Sequence, residues 1–389
     1  MFQSVVVLAV ILAIQNHLDF SLHRCTWSIK PEQVAANPGV FLRSFVVASP
    51  DCTDKILYTK GSRVQYQEGG KVPYSVRKGP SLSGDGTLVA CLGEDHQVLL
   101  CSVSGNSHPE LVSRSVHGGH SNGPSGPPRL SIDGRWVVFA SAASDLVAGD
   151  FNNQVDVFLA DRFEKTMIRI QHASREPNGP SQSPAIAETG DIVFASAASN
   201  LAEDLDLNGL ADIFVWQRST GTIARIHLKG LADECLALDA PDISGDGRYV
   251  VYRACSWRNE DGKDHHSDIV LTKLEDKSSE RILSVLGLDP ISCQPGYPSI
   301  SRDGGIMCFG LQEYAVDDSL NTLWSTSILV YDTERKESKR IGCVGRSLRV
   351  WPAVSPSGKY VAWSLAVPTR LFLWSAEDST TKEFELMDP

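Results

Sequence analysis

The sharpest chemical signal in this 389-residue chain is Asp204-Leu-Asp206-Leu-Asn208-Gly209-Leu-Ala-Asp212. Oxygen side chains at alternate positions, a glycine for a tight turn and a later carboxylate suit a hard cation such as calcium. The loop follows the first half of a calcium-loop pattern and then departs from it. Its twelfth position, where a bidentate Glu is required, is Val215. A partial copy is Asp150-Phe-Asn152-Asn153-Gln-Val-Asp156. Asp204, Asp206, Asn208 and Asp212, with Asp150, Asn152 and Asp156, are therefore the candidate Ca2+ ligands. The competing reading is a polar turn in which Asx side chains bond their own backbone.

Other chemistry finds less support. His117-Gly-Gly-His120 and His265-His266 lack the Cys or second spaced pair that a four-ligand zinc site needs, and are expected to be solvated loop residues. The first of them sits among Gly, Ser and Asn, so it is not the helical HExxH of a metalloprotease. Gly123-Pro-Ser125-Gly and Gly179-Pro-Ser181-Gln do not complete a G-x-S-x-G nucleophile elbow, and no GxxxxGK[ST] phosphate cradle occurs. Asp317-Asp318 reads as solvated loop charge in a chain whose net charge is −11. That acidic balance, with no Lys/Arg run longer than two, argues against a nucleic-acid partner.

The elements that would position these residues follow from an internal repeat. One phrase (Pro, any residue, an aliphatic, usually Ser, two residues, Gly, then an apolar run) begins at Pro80, Pro128, Pro184, Pro241, Pro298 and Pro352. Gly86, Gly134, Gly190, Gly247, Gly304 and Gly358 each lie six positions after the proline. Leu82, Leu130, Ile186, Ile243, Ile300 and Val354 each lie two after it. The apolar stretches are two strands, and Asp-Gly supplies the positive φ of the turn between them. A third strand is expected at Asp156–Leu159, Asp212–Val215, Asp268–Leu271 and Ile328–Tyr331. A fourth is expected at Met167–Ile170, Ile223–Ile226 and Arg281–Leu283. Four antiparallel strands recurring every ~50 residues describe the blades of an all-β propeller. Trp136, Tyr249, Phe309 and Trp363 fall at strand positions and are expected in the core.

Two copies match more closely. Asn122-Gly-Pro-Ser125 and Asn178-Gly-Pro-Ser181 each lead to a proline, then to Phe-Ala-Ser-Ala-Ala-Ser-[Asp/Asn]-Leu (Phe139–Leu146 and Phe194–Leu201), then to the Asp/Asn loops. This pattern resembles the TolB-like (PD40, WD40-like) β-propeller repeat over roughly residues 78–375. The resemblance implies a propeller fold, frequent export and protein binding as the commonest role. The expectation is six blades over residues 78–389, with a seventh as the alternative. Residues 25–77 would supply strands that close the ring or form a partial extra blade, and 1–24 a hydrophobic leader.

The apolar run Val5–Ile14 is too short to span a bilayer and matches the h-region of a signal peptide in length, although no Lys or Arg precedes it. An apolar element of the mature domain is the competing reading. An extracytoplasmic monomer without stable membrane insertion is expected. Nine scattered cysteines form no CxxC; Cys91 and Cys308 read as buried hydrophobes, and Cys255 with Cys293 or with Cys235 could pair. The expected function is a binding module, not an enzyme. It would hold a protein partner through loops at one face, with insertions at Ser256–Ser267 and Gln312–Ser327 as the candidate surface. The alternative is a metal-dependent enzyme with its site in the central channel.

Overall fold

The computed structural model describes residues 57–60, 63–66, 81–85, 87–93, 95–102, 108–173, 175–203, 209–227, 236–258, 264–316, 322–343, 352–366 and 369–385. Of residues 25–77, expected to close the ring or form a partial extra blade, only 57–60 and 63–66 are among them. The six repeats form six antiparallel sheets, each a meander built in chain order. Sheet one comprises Ser81–Leu82, Leu88–Leu92, Val98–Ser102 and Glu110–Leu111. Sheet two comprises Arg129–Leu130, Trp136–Ser141, Asp156–Asp161 and Thr166–Arg169. Sheet three comprises Ser181–Ile186, Ile192–Ser196, Asp212–Gln217 and Thr222–Arg225, and sheet four Leu236–Ile243, Tyr249–Arg258, Asp264–Lys273 and Ser278–Arg281. In sheet five both Cys293–Pro295 and Ser299–Ile300 pair with Ile306–Val316, followed by Thr322–Asp332 and Glu337–Cys343. Sheet six comprises Ala353–Val354, Tyr360–Ala366, Thr369–Ser375 and Thr381–Glu385. Leu57–Lys60 and Arg63–Tyr66 form a hairpin of their own.

The repeated phrase works as a clamped turn. The Ser three residues after the proline is buried and donates to the Asp two further on: Ser83 to Asp85, Ser131 to Asp133, Ser244 to Asp246 and Ser301 to Asp303, at 2.6–2.7 Å. Its hydroxyl also accepts the amide that opens the second strand, as at Trp136, Tyr249 and Ile306. The same Asp accepts the amide two residues on, at Thr87, Arg135, Arg248 and Gly305. These four turns thus use one Ser and one Asp to satisfy amides that the short hairpin leaves open.

The prolines sit less uniformly than the repeat suggests. Pro80, Pro128, Pro298 and Pro352 immediately precede the first strand. In sheets three and four the first strand begins earlier and runs through Pro184 and Pro241. There Ser183 and Ala240 take positive φ and the register slips between Gln182 and Ala185 and between Asp239 and Asp242. A bulge removes the need for the missing proline N–H, which is how proline enters a strand interior. The expected fourth strand at Arg281–Leu283 also differs. The strand ends at Arg281, and Ile282–Val285 form a single helical turn, α1. Asp268 causes this by accepting the Leu283 amide at 2.8 Å and the Ser284 hydroxyl at 3.2 Å.

The chain forms two compact units. One comprises Met1–Asn153, Phe158–Arg169 and Val354–Pro389; the other comprises Gln154–Val157 and Ile170–Ala353. In the first, Leu92, Leu100, Val137, Phe139, Leu146 and Phe158 form a core between sheets one and two. In the second, Val193, Ile213, Ile243, Val250, Tyr252 and Val270 fill the space between sheets three and four. Val251, Ile269, Leu283, Phe309, Leu329 and Tyr331 do so between sheets four and five. Trp136, Phe309 and Trp363 are buried as expected, while Tyr249 is half-buried. Cys91 and Cys308 are fully buried.

Turn-to-turn hydrogen bonds link neighbouring sheets within each unit. The Gly84 amide donates to the Ile132 carbonyl at 2.5 Å, Glu188 to Gly245 at 2.9 Å and Asp246 to Arg302 at 2.9 Å. Side chains of one sheet also pack on the repeat glycine of the next. A β-carbon at Gly304 would lie 2.2 Å from Tyr249 Cδ2, and one at Gly134 3.0 Å from Leu88 Cδ1.

Candidate functional site

The polar residues of interest gather where the second strand of a sheet turns into the third and where one sheet connects to the next. Two of these regions are copies in three dimensions as well as in sequence. The Asn122 amide donates to Asp145 Oδ1 at 3.0 Å, and the Asn178 amide to Asn200 Oδ1 at 3.0 Å. Asn122 Nδ2 donates to Ser144 and Asn178 Nδ2 to Ser199; each Asn Oδ1 accepts the amide of the same serine. Below them Ser125 pairs with Ser141 and Ser181 with Ser196, both buried. A β-carbon on Gly123 or Gly179 would fall 2.7 or 2.6 Å from the facing backbone, so only glycine fits. The matched residues therefore build a rigid loop frame, and Ser125 and Ser181 are part of that frame.

Acid–guanidinium pairs recur in sheets two, three and four. Asp150, a candidate calcium ligand, is buried and meets Arg169 Nη1 at 2.7 Å, with both side chains at 5% exposure or less. Asp212 Oδ2 accepts from Arg225 Nη1 at 2.9 Å. Asp268 Oδ2 accepts from Arg281 Nε at 3.1 Å, and burial raises the Asp268 pKa above the ordinary carboxylate value. Asp156 opens the third strand of sheet two and is buried, and Asn152 lies half-buried in the loop before it. Asp204, Asp206 and Asn208 lie outside the described residues. Among the described residues, no three His, Cys, Asp or Glu side chains come together in a way that could hold a metal ion.

The histidines differ in their settings. His117 and His120 are exposed, and His120 Nδ1 lies 2.7 Å from Asp95 Oδ2. His265 and His266 are strand residues, opposite Trp257 and Ser256, because the expected insertion there is an extended hairpin. The same is true of sheet five. Its second and third strands pair without interruption from Ile306↔Asp332 to Val316↔Thr322. The middle strands therefore hold 10 residues each in sheet four and 11 each in sheet five, against five or six in sheets one to three. β-branched and aromatic residues such as Tyr314, Val316, Thr322 and Trp324 favour this continuation.

Near the base of the sheet-four hairpin, Arg253 makes a bidentate pair with Asp239, Nε–Oδ1 2.8 Å and Nη2–Oδ2 2.5 Å. Its guanidinium carbon lies 5.0 Å from the ring centre of Tyr297, which is 42% exposed. Burial lowers the Arg253 pKa and Asp239 raises it, and the pair leaves it above the ordinary arginine value. In sheet five, Arg340 and Glu313 form a second bidentate pair. Carboxylates committed in this way organise a surface. Cys255 and Cys293 carry free thiols, and Cys235 lies outside the described residues.

Sequence reading missed these pairs, although a signal for two of them was present. Asp212 and Arg225, and Asp268 and Arg281, are separated by the same interval in consecutive repeats. Asp156 and Arg169 share that interval as well, and there Arg169 meets Asp150. Arg253 with Asp239 had no such signal, because a bulge sets their register.

Known structures place this architecture. An oligogalacturonate lyase from Vibrio parahaemolyticus superposes with a TM-score of 0.55 at 11% identity, covering 88% of this chain and 87% of that one. An oligogalacturonate lyase in complex with manganese gives 0.52 at 11% identity, covering 82% and 85%. The chain has a TolB-like β-propeller fold. A TolB-like protein from Agrobacterium tumefaciens also aligns, at 16% identity over 74% of this chain and 90% of that one, with a TM-score of 0.46. No family profile and no curated protein sequence matches the chain.

At these identities the likeness conveys the fold alone. It does correct one expectation, that a chain of this kind is not an enzyme: oligogalacturonate lyases are enzymes built on this same scaffold. No helix among the described residues is long and apolar enough to cross a membrane.

Proposed function

We propose that this propeller is a recognition module that captures a protein or peptide partner on the extended hairpins of sheets four and five. The observation that carries this reading is the length of those hairpins. Four to six extra residues per strand project each hairpin by roughly 13–20 Å beyond the strand length of sheets one to three. The bidentate Arg253–Asp239 pair and exposed Tyr297 supply, next to that projection, the guanidinium and aromatic groups enriched at binding hot spots. A scaffold of stacked sheets holding such projections still is the arrangement by which rigid folds present functional segments. The apolar run Val5–Ile14 supports a place of action outside the cytoplasm.

The test replaces residues 314–324 with Asn-Gly, which joins Glu313 to Ser325 through a tight turn at their existing register. Partners crosslinked to the wild-type chain and identified by mass spectrometry are expected to lose at least about tenfold in affinity for the shortened variant. Its circular dichroism and Tm are expected to stay near wild type. Undiminished affinity would end this reading. Because the same fold serves lyases, acidic oligosaccharides with manganese belong in the first assay. Turnover that survives the shortening would replace capture with catalysis.

A further inference from the structure

Sheet one carries two cysteines that the recognition surface does not use. Cys91 lies in its second strand and Cys101 in its third. The register sets Cys91 opposite Leu99 and Cys101 opposite Val89, so both side chains stand on one face as diagonal neighbours. The other face holds Ala90, Leu92, Val98 and Leu100, which belong to the core shared with sheet two. Both cysteines are buried, at 0% and 3% exposure, and their sulfurs lie 3.9 Å apart. A disulfide has a sulfur separation of about 2.05 Å, so rotation about the two Cα–Cβ bonds with a small local approach of the strands must close about 2 Å.

We propose that Cys91 and Cys101 are a cross-strand disulfide site, closed when the chain folds in the presence of a disulfide oxidant. Two features favour this pair over others. Its sulfurs already face each other inside one hairpin, so little chain entropy opposes their meeting. The two thiols also differ in acidity. A hydrogen bond from Cys91 lowers the Cys101 pKa against the opposing effect of burial, while Cys91 is held well above its ordinary value.

Before the sheet is covered either thiol can supply the attacking thiolate, here Cys101. Its sulfur attacks one sulfur of the oxidant disulfide and expels a thiolate, forming a mixed disulfide on Cys101. Cys91, giving up its proton, then attacks Cys101 Sγ and expels the second thiolate. The two cysteine protons end on the two released thiols, so one oxidant disulfide is reduced as one protein disulfide forms. Burial of both sulfurs places the exchange during folding, before the sheet is covered.

The test refolds the full chain in a glutathione redox buffer and, in parallel, in excess dithiothreitol. Each sample is acid-quenched, unfolded and alkylated. Trypsin releases both cysteines in one peptide, Gly79–Arg114. From the glutathione sample that peptide is expected unlabelled and lighter by two hydrogens, with its halves still joined after cleavage at Glu94. From dithiothreitol it is expected with two labels. A doubly labelled peptide from glutathione-refolded protein with a native spectrum overturns the proposal. Wild type refolded in glutathione is expected to melt higher than its reduced form, and Cys101→Ser to abolish that difference. An equal shift in Cys101→Ser would assign it to other cysteines and overturn the stabilising bond.

Discussion

At the scale of single residues, two glycines of positive φ separate two demands. Gly304 has φ +76° and faces the Tyr249 ring, whereas Gly118 has φ +85° and a β-carbon added there would meet nothing within 4 Å. Gly118→Ala is expected to cost only the left-handed backbone strain, about 1 kcal/mol. Gly304→Ala adds crowding against a packed ring and is expected to cost about 3 kcal/mol, read as a shift in urea midpoint with unchanged m-value. At Gly304 the positive φ was legible in the sequence, because Asp303-Gly304 ahead of an apolar run demands it. The crowding was not, because the ring comes from the preceding repeat.

Charge gives a second residue-scale prediction. Arg135 holds Asp161 well below the ordinary carboxylate range, helped by amides of Phe163 and Glu164 and by the Trp136 indole. A depressed folded pKa contributes stability that is complete above the unfolded value of about 4 and is lost as the pH falls through the folded value. Asp161→Asn is therefore expected to flatten the loss of stability below about pH 4, measured by urea unfolding across the acid range. An unchanged acid slope would show that the Arg135 pair contributes nothing to acid sensitivity.

At the scale of elements, the loop frames of sheets two and three are equivalent clamps. Asn122 and Asn178 each hold a facing serine through two side-chain hydrogen bonds. Replacing either by Ala is expected to cost about 1–2 kcal/mol, and the two costs are expected to add, since the frames share no partner. A double variant that falls well short of the sum would show that one clamp already yields when the other is cut. These frames were visible in the sequence as matched phrases, but their role was not. Only the facing backbone at Ala142 and Ala197 shows why Gly123 and Gly179 are required. The long hairpins were visible as extra residues and misread as loops. The repeat phrase marks where a second strand begins and says nothing of where it ends, so alternating strand chemistry past Cys255 or Leu311 went uncounted.

At the scale of the whole molecule, the acidic balance of −11 and the paired carboxylates bear on the calcium reading. Asp150 and Asp212 already face Arg169 and Arg225, so a cation in either loop would share its carboxylate with a guanidinium whose like charge opposes it. Thermal unfolding of the chain is expected to be the same in excess calcium as in chelator. A bound ion at one hundred times its Kd would add about 2.7 kcal/mol and be plain in Tm. A rise removed by Asp206→Ala would place the ion within residues 204–208.

The clamped turns carry one more consequence, and it concerns inheritance. A turn such as that of sheet four brings its own Ser244–Asp246 clamp, accepts from the turn before it at Gly245 and donates to the turn after it from Asp246. A stretch of gene copied from one proline to the next would arrive with both halves of that joint ready-made. Lengthening such a chain by tandem duplication would require no new coupling to evolve. The later divergence would be free to fall where sheets four and five show it, in the reach of the hairpins.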